Sequence, residues 1–219
     1  MSYIAERRGE EKERRRAEIL DAAETLYAKK GWDALTVDQV ARSARLSRAL
    51  VYVYFRDKEE LLFAIGERAM RLLRNRFIEA AAGHVVGMDQ VEAIGRAYMG
   101  YAYEFPHYFD FCSRFQAHSV ATDPGSHEGA CRAAGDEAIG AVVQAIETGL
   151  RDGSIRPDVG EPILLATTLW AFTHGVIQLA MAKGSDLARF GIASPISATT
   201  HLGCSAQSQR ARRPPRDFF

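Results

Sequence analysis

Apolar positions recur along this chain three and four residues apart, and no stretch alternates as a half-buried strand would. From about Arg14 to Lys30 the residues Ile19, Ala22, Ala23, Leu26 and Tyr27 make one stripe. Lys29 and Lys30 suit the negative end of a helix dipole, and Gly31 stops the run. Thr36 with Gln39 three residues on is a capping box, so a short helix follows with Val40, Ala41 and Ala44 on one face. Leu46 plugs a turn, and Ser47 caps a second short helix, SRALVYVYF, in which Val51 and Phe55 pack inward one turn apart. Asp57, with Glu60 as capping-box partner, opens a fourth helix through Leu61, Leu62, Ile65, Ala69, Leu72, Leu73 and Phe77, which Gly83 and Gly87 close. Further helices carry Ile94 to Phe105, restart at Pro106, resume through Ile139 to Leu150 before Gly153, and run from Glu161–Pro162 to about Lys183. Residues 119–127 read as a loop on their turn residues. The pattern predicts an all-α protein.

The two short helices put Arg48, Ala49, Tyr52 and Val53 on an outer surface, with Tyr54 near its edge. A short helix that presents Arg and Tyr and is braced by another helix suits a DNA major groove. Arg42, Arg45, Arg48, Arg56 and Lys58 stand against one acid, Asp57, between Gln39 and Lys58. Thr36, Ser47, Tyr52, Tyr54 and Lys58 add hydroxyls and a cation that suit phosphates at the groove margins. On these residues alone, an ordinary helical corner with solvated arginines stays open as the other reading.

The stretch LTVDQVARSARLSRALVYVYFRDKEELL, with the helix before it, resembles the N-terminal domain of the TetR family of bacterial transcriptional regulators. Thr36, Ala41, Ser47, Tyr52, Tyr54, Phe55, Lys58, Glu59 and Leu61 meet the family's pattern, and the likeness runs from about Arg14 to Leu73. It implies an N-terminal three-helix helix-turn-helix DNA-binding domain and a larger helical domain for effector binding and dimerisation. A homodimer on a near-palindromic operator of double-stranded DNA is then expected, acting as a repressor released by an unknown small-molecule effector. Arg48, Ala49 and Val53 would lie nearest the bases, with Thr36, Ser47, Tyr52, Tyr54 and Lys58 on phosphates. Tyr101, Phe111, Phe115, His118, Trp170, His174 and Gln178 are the expected effector pocket. There are three departures. Arg45 stands at the turn position usually held by Gly, Leu50 where a small hydroxylated residue is common, and Val53 where a polar or aromatic residue often sits. Arg45 could reach a phosphate in return for a strained backbone. A helical dimeric interaction module that has lost operator binding is the alternative these departures favour.

Charge is zero overall, yet residues 1–58 carry 13 basic and 10 acidic groups while residues 59–192 carry 11 and 17. A mildly basic head on an acidic body fits DNA contact by the head alone. The expected organisation is a flexible N-terminal arm at 1–13, the helix-turn-helix at 14–57, the effector and dimerisation domain at 58–192, and an atypical, disordered tail at 193–219. That tail has no helical period, and its Ser, Arg, Ala and Pro suit either a shifted reading frame or a basic segment with its own partner. Met1 leads into charge rather than an apolar run, and no stretch is read as a membrane span, so no membrane partner is expected. Three scattered cysteines suit a reducing cytoplasm. The histidines lack ligand spacing, and neither a phosphate loop nor a nucleophile elbow occurs; no metal, cofactor or catalysis is expected.

Overall fold

The computed structural model describes residues 3–114, 123 and 125–189. Among them the regular elements are the helices α1 (Tyr3–Lys30), α2 (Val37–Ser43), α3 (Arg48–Tyr54), α4 (Lys58–Ala82), α5 (Gly87–Glu104), α6 (Pro106–Arg114), α7 (His127–Asp152) and α8 (Pro162–Arg189). The all-α reading holds for these residues.

The first departure is at the start. The arm expected at 1–13 is helical from Tyr3, so the 28-residue α1 opens well before Arg14. Its dense charge is spaced for helix support: Glu11 pairs with Arg14 and Arg15, and Arg15 with Glu18 at 2.9 Å. Alternating Glu and Arg are good helix formers, and charge density alone was a poor sign of fraying. At its other end Gly31 takes φ 77° and donates its N–H to the Tyr27 carbonyl at 2.9 Å, which ends the helix as expected.

The chain divides into two compact units, residues 1–75 with 105–140, and 76–104 with the chain from 141 onward. This division does not coincide with the 57/58 boundary read from the sequence. In the first unit Ile19, Ala23 and Tyr27 of α1, Val40 of α2, Val51 of α3 and Leu61 and Ile65 of α4 are buried. Helix α6 docks on α1 through polar bonds as well as apolar ones. The Tyr27 hydroxyl donates to Asp110 Oδ2 at 2.9 Å, and the Tyr108 hydroxyl donates to Glu24 Oε1 at 3.0 Å. Arg114 bridges Asp110 at 2.9 Å and Asp33 at 3.0 Å. Burial first, and the carboxylate partners second, push both tyrosine hydroxyls far above the ordinary tyrosine range, so both stay protonated donors. Phe111 lies over Gly66 of α4, where an added methyl would meet its ring at 2.0 Å. Cys112 is half-buried, and burial pushes the Cys131 thiol up to about 12.

In the second unit Phe77, Ile94, Tyr98, Tyr101, Ile146 and Ile177 form the core. Gly87 opens α5 instead of closing α4. A methyl there would stand 2.0 Å from the Gly149 nitrogen of α7, so the two backbones touch and only glycine fits. Asp152 accepts from the Gly87 N–H at 2.8 Å and Ser154 from the Met88 N–H at 3.1 Å, satisfying the first orphan donors of α5. Gly153 ends α7 at φ 78°, and Lys183 interrupts α8 with φ −128° and ψ 20°. That interruption falls where the sequence places the helix end. The expectation that no stretch approaches a membrane span needs correction, because Pro162–Ser185 of α8 is long and apolar enough by length and composition. Its threonines, His174 and Gly175 interrupt the apolar run along the sequence. Residues 193–219, and with them the tail reading, lie outside the described residues.

Candidate nucleic-acid interface

Helices α2 and α3 are built by the caps their sequence contains. The Thr36 side chain accepts from the Gln39 N–H at 3.4 Å, and the Gln39 carboxamide oxygen accepts from the Thr36 N–H at 3.1 Å. Lys30 also donates to that oxygen at 2.5 Å, tying the end of α1 to the start of α2. The turn then closes by two bonds. The Leu46 N–H reaches the Ala41 carbonyl at 2.8 Å and the Arg45 N–H reaches the Arg42 carbonyl at 3.2 Å, the paired pattern of a Schellman stop. That stop puts Arg45 at φ 58°, the sole non-glycine residue with positive φ among the described residues. Ser47 next accepts from the Leu50 N–H at 3.2 Å and starts α3.

The outward face of α3 is the one expected. Val51 and Phe55 are buried, Ala49 and Arg48 are exposed, Tyr52 is 40% exposed and Val53 73%. Tyr54 and Leu50 are half-buried at the edges. Arg48 is not loose. Its guanidinium is 3.3 Å from Asp38 of α2 and donates to the Tyr52 hydroxyl at 3.3 Å, and these two partners hold its pKa above the usual arginine value. The contact with Asp38 orients the guanidinium before any ligand arrives.

Lys58 behaves otherwise. Its Nζ donates to the Trp32 carbonyl at 2.9 Å and sits 4.6 Å from the Trp32 ring centroid, and burial lowers its pKa. The ammonium thus clamps the α1–α2 corner to the start of α4 in this state. Asp57 caps α4 by accepting from the Glu60 N–H at 2.7 Å, but Glu60 returns its bond to the Arg56 N–H at 2.6 Å rather than to Asp57.

Residues 19–65 match the family model of bacterial regulatory proteins of the tetR family, and residues 91–193 match that of a tetracyclin repressor-like C-terminal domain. The chain belongs to the TetR family. The HTH-type transcriptional regulator HbdR of Aromatoleum sp. (strain CIB) is 43% identical over 51 residues, which are 23% of this chain and 22% of HbdR. Matches to curated relatives span no more than 40% of the relative's length. A protein with unknown function from Rhodococcus sp. RHA1 superposes with a TM-score of 0.69 at 23% identity, over 88% of this chain and 92% of that one. FadR from Bacillus subtilis, solved in complex with stearoyl-CoA, gives 0.62 at 12% identity over 85% and 94%. At these identities the likeness is one of fold.

The pocket residues expected of this TetR-family chain are divided among the two units and the residues outside the description. Phe111 belongs to the first unit, against Gly66. Phe115 and His118 lie outside the described residues. Tyr101, Trp170, His174 and Gln178 belong to the second unit, where Tyr101 is fully buried and Gln178 is exposed. The sequence reading missed the centre of that group. The Tyr98 hydroxyl is 2.7 Å from His174 Nδ1 and accepts from Trp170 Nε1 at 3.4 Å, and its ring stacks on Tyr101 and His174. Burial holds the His174 pKa below its ordinary value, so near neutral pH the imidazole is uncharged and shares one neutral hydrogen bond with the Tyr98 hydroxyl through Nδ1. The signal was available: Trp170 and His174 are four apart on one helix, and a buried tyrosine hydroxyl needs a partner.

Proposed function

We propose that this TetR-family chain is a DNA-binding transcriptional repressor, with α3 lying in the major groove of an operator. The observation that carries the reading is the outer face of α3. Arg48 and Ala49 at its start, with Val53, stand clear of the fold while Val51 and Phe55 anchor the opposite side. Arg48, held by Asp38, is aimed for a guanine edge, and Val53 offers apolar contact to a thymine methyl. Tyr52, Tyr54, Thr36 and Ser47 would face phosphates, and Arg45 at the exposed turn would add another contact. Lys58 would join them by leaving the Trp32 carbonyl.

A two-fold dimer would set the two recognition helices about 34–36 Å apart on a near-palindromic site. Its interface is the outer stripe of α8, where Leu164, Thr168, Phe172 and Leu179 share one face and Phe172 is 71% exposed. This assigns the apolar length of α8 to a subunit partner rather than to lipid. Phe172→Glu is expected to give a monomer in sedimentation. The effector would bind near Tyr98, Trp170 and His174 and favour the conformation that releases DNA. The stearoyl-CoA bound by the similarly folded FadR makes a long-chain acyl-CoA the first effector to try.

The test is fluorescence anisotropy of the purified protein on DNA from around its own gene, across a salt series. Saturable binding tighter than to random DNA, with affinity falling as salt rises, is expected. Equal affinity for random DNA would refute the operator reading.

A further inference from the structure

Helix α3 has only seven residues, too few to hold a helix without tertiary support. Its orientation therefore depends on its two buried anchors, Val51 and Phe55, each 1% exposed. Phe55 ends the helix, and its ring meets two side chains from distant parts of the same unit. The Arg16 guanidinium lies 5.1 Å from the ring centroid, and the His127 imidazole stacks on it at 6.2 Å with 29° between the planes. His127 is the first residue of α7, at a start capped by Ser126, whose hydroxyl accepts from the Gly129 N–H at 3.0 Å. The same imidazole reaches α4, with Nδ1 2.6 Å from Glu67 Oε2, while Arg71 holds the other Glu67 oxygen at 2.7 Å.

We propose that His127 is a positioning residue for the recognition helix. Its ring backs Phe55, and its bond to Glu67 fixes where that ring stands relative to α4. Tyr52 and Val53 occupy the turn of α3 that Phe55 closes, so a loosened Phe55 lets that turn pivot away from the base edges. Contacts of this kind tolerate displacements of roughly 0.5 Å. The consequence for DNA rests on the regulator reading; the ordering of α3 by His127 does not.

Two variants test it, His127→Ala and His127→Phe, the second restoring an aromatic ring on Phe55 without the Glu67 bond. Amide exchange is followed at residues 50–55 and, as an internal reference, at residues 19–27 of α1. Operator affinity is measured on the same samples. His127→Ala is expected to speed exchange in 50–55 with α1 unchanged and to weaken operator binding about three- to tenfold, the scale of one aromatic contact. His127→Phe is expected to recover part of both, the share of the ring contact, and to leave the share of the Glu67 bond unrecovered. A uniform rise in both helices would mark a mere stability effect and overturn the proposal, as would unchanged exchange in α3 or a phenylalanine variant no better than alanine. If the alanine variant does not fold, Glu67→Ala takes its place. Freeing the ring from α4 must then speed exchange in 50–55 alone, and no rise there sinks the idea. Should the wild type show no operator preference, the regulator reading falls and the exchange data decide this proposal by themselves.

Discussion

Arg45 stands in the left-handed region at φ 58° with a full side chain. A residue with a Cβ costs roughly 1–2 kcal/mol there, because the Cβ crowds the following carbonyl. Glycine escapes that crowding but loses more backbone entropy on folding, about 0.5–1 kcal/mol. Arg45→Gly is therefore expected to stabilise the protein by a net ~0.5–1 kcal/mol. Little else changes, since Arg45 is exposed and its N–H bond to the Arg42 carbonyl survives in the variant. Arg45→Ala is the control that isolates the backbone: it removes the guanidinium and keeps the Cβ. Urea unfolding of the three proteins gives the answer, with the glycine variant above both others in midpoint at equal slope. For a chain of this size the gain amounts to roughly 1–4 °C in Tm. A glycine variant no more stable than the alanine variant would refute the strain argument. Operator binding separates the other half of the reasoning, because any phosphate contact by Arg45 is lost equally in both variants and shows as the same reduction in salt slope.

Tyr52→Ala is expected to weaken binding on specific and random DNA alike, whereas Arg48→Ala also relaxes base preference by about 1–3 kcal/mol at one position; anisotropy on a panel of single-base operator variants distinguishes them. Burial lowers the pKa of both His107 and His174 in the fold. As pH falls below about 6.5 the unfolded chain takes up protons first, so stability is full above that pH and drops below it. His107→Gln with His174→Gln should flatten that drop in urea midpoints at pH 7.5 and 5.5; an unaltered slope contradicts the assignment. Gly87→Ala forces apart two touching backbones and is expected to cost about 1–3 kcal/mol in thermal unfolding. Gly95→Ala, with nothing within 4 Å of the added methyl, should be neutral or better.

Much of the first unit was legible because its signals are local. Thr36 with Gln39, Ser47 and Gly31 each state a helix boundary within four residues, and the structure uses all three in that way. Arg45 shows the same from the other side, since the cap pattern around it demands a left-handed residue whatever its identity. What escaped depends on chain-distant partners. Lys58 looked like a free cation until Trp32, 26 residues away, supplied a carbonyl and a ring. Gly87 looked like a helix stop because nothing nearby in sequence announces Gly149. Tyr98 was one aromatic among many until α8 placed His174 and Trp170 beside its hydroxyl. The start of α1 failed for a different reason: a solvated helix held by ion pairs and a frayed charged arm share one composition.

The docking of α6 on α1 bears on how the protein is made. Tyr27 and Glu24 find their partners 83 and 84 residues further along, and Phe55 meets His127 later still. The unit that presents α3 is therefore discontinuous, with residues 76–104 intervening before its second piece. At a synthesis rate of roughly 5–20 residues per second, the nascent head waits seconds for the groups that complete it. During that interval Tyr27 lacks its acceptor, Glu24 its tyrosine donor, and Phe55 one of its ring neighbours. A newborn α3 is thus held less firmly than the finished one, and a fragment ending at residue 75 would keep the exposed side chains of α3 without the framework that positions them.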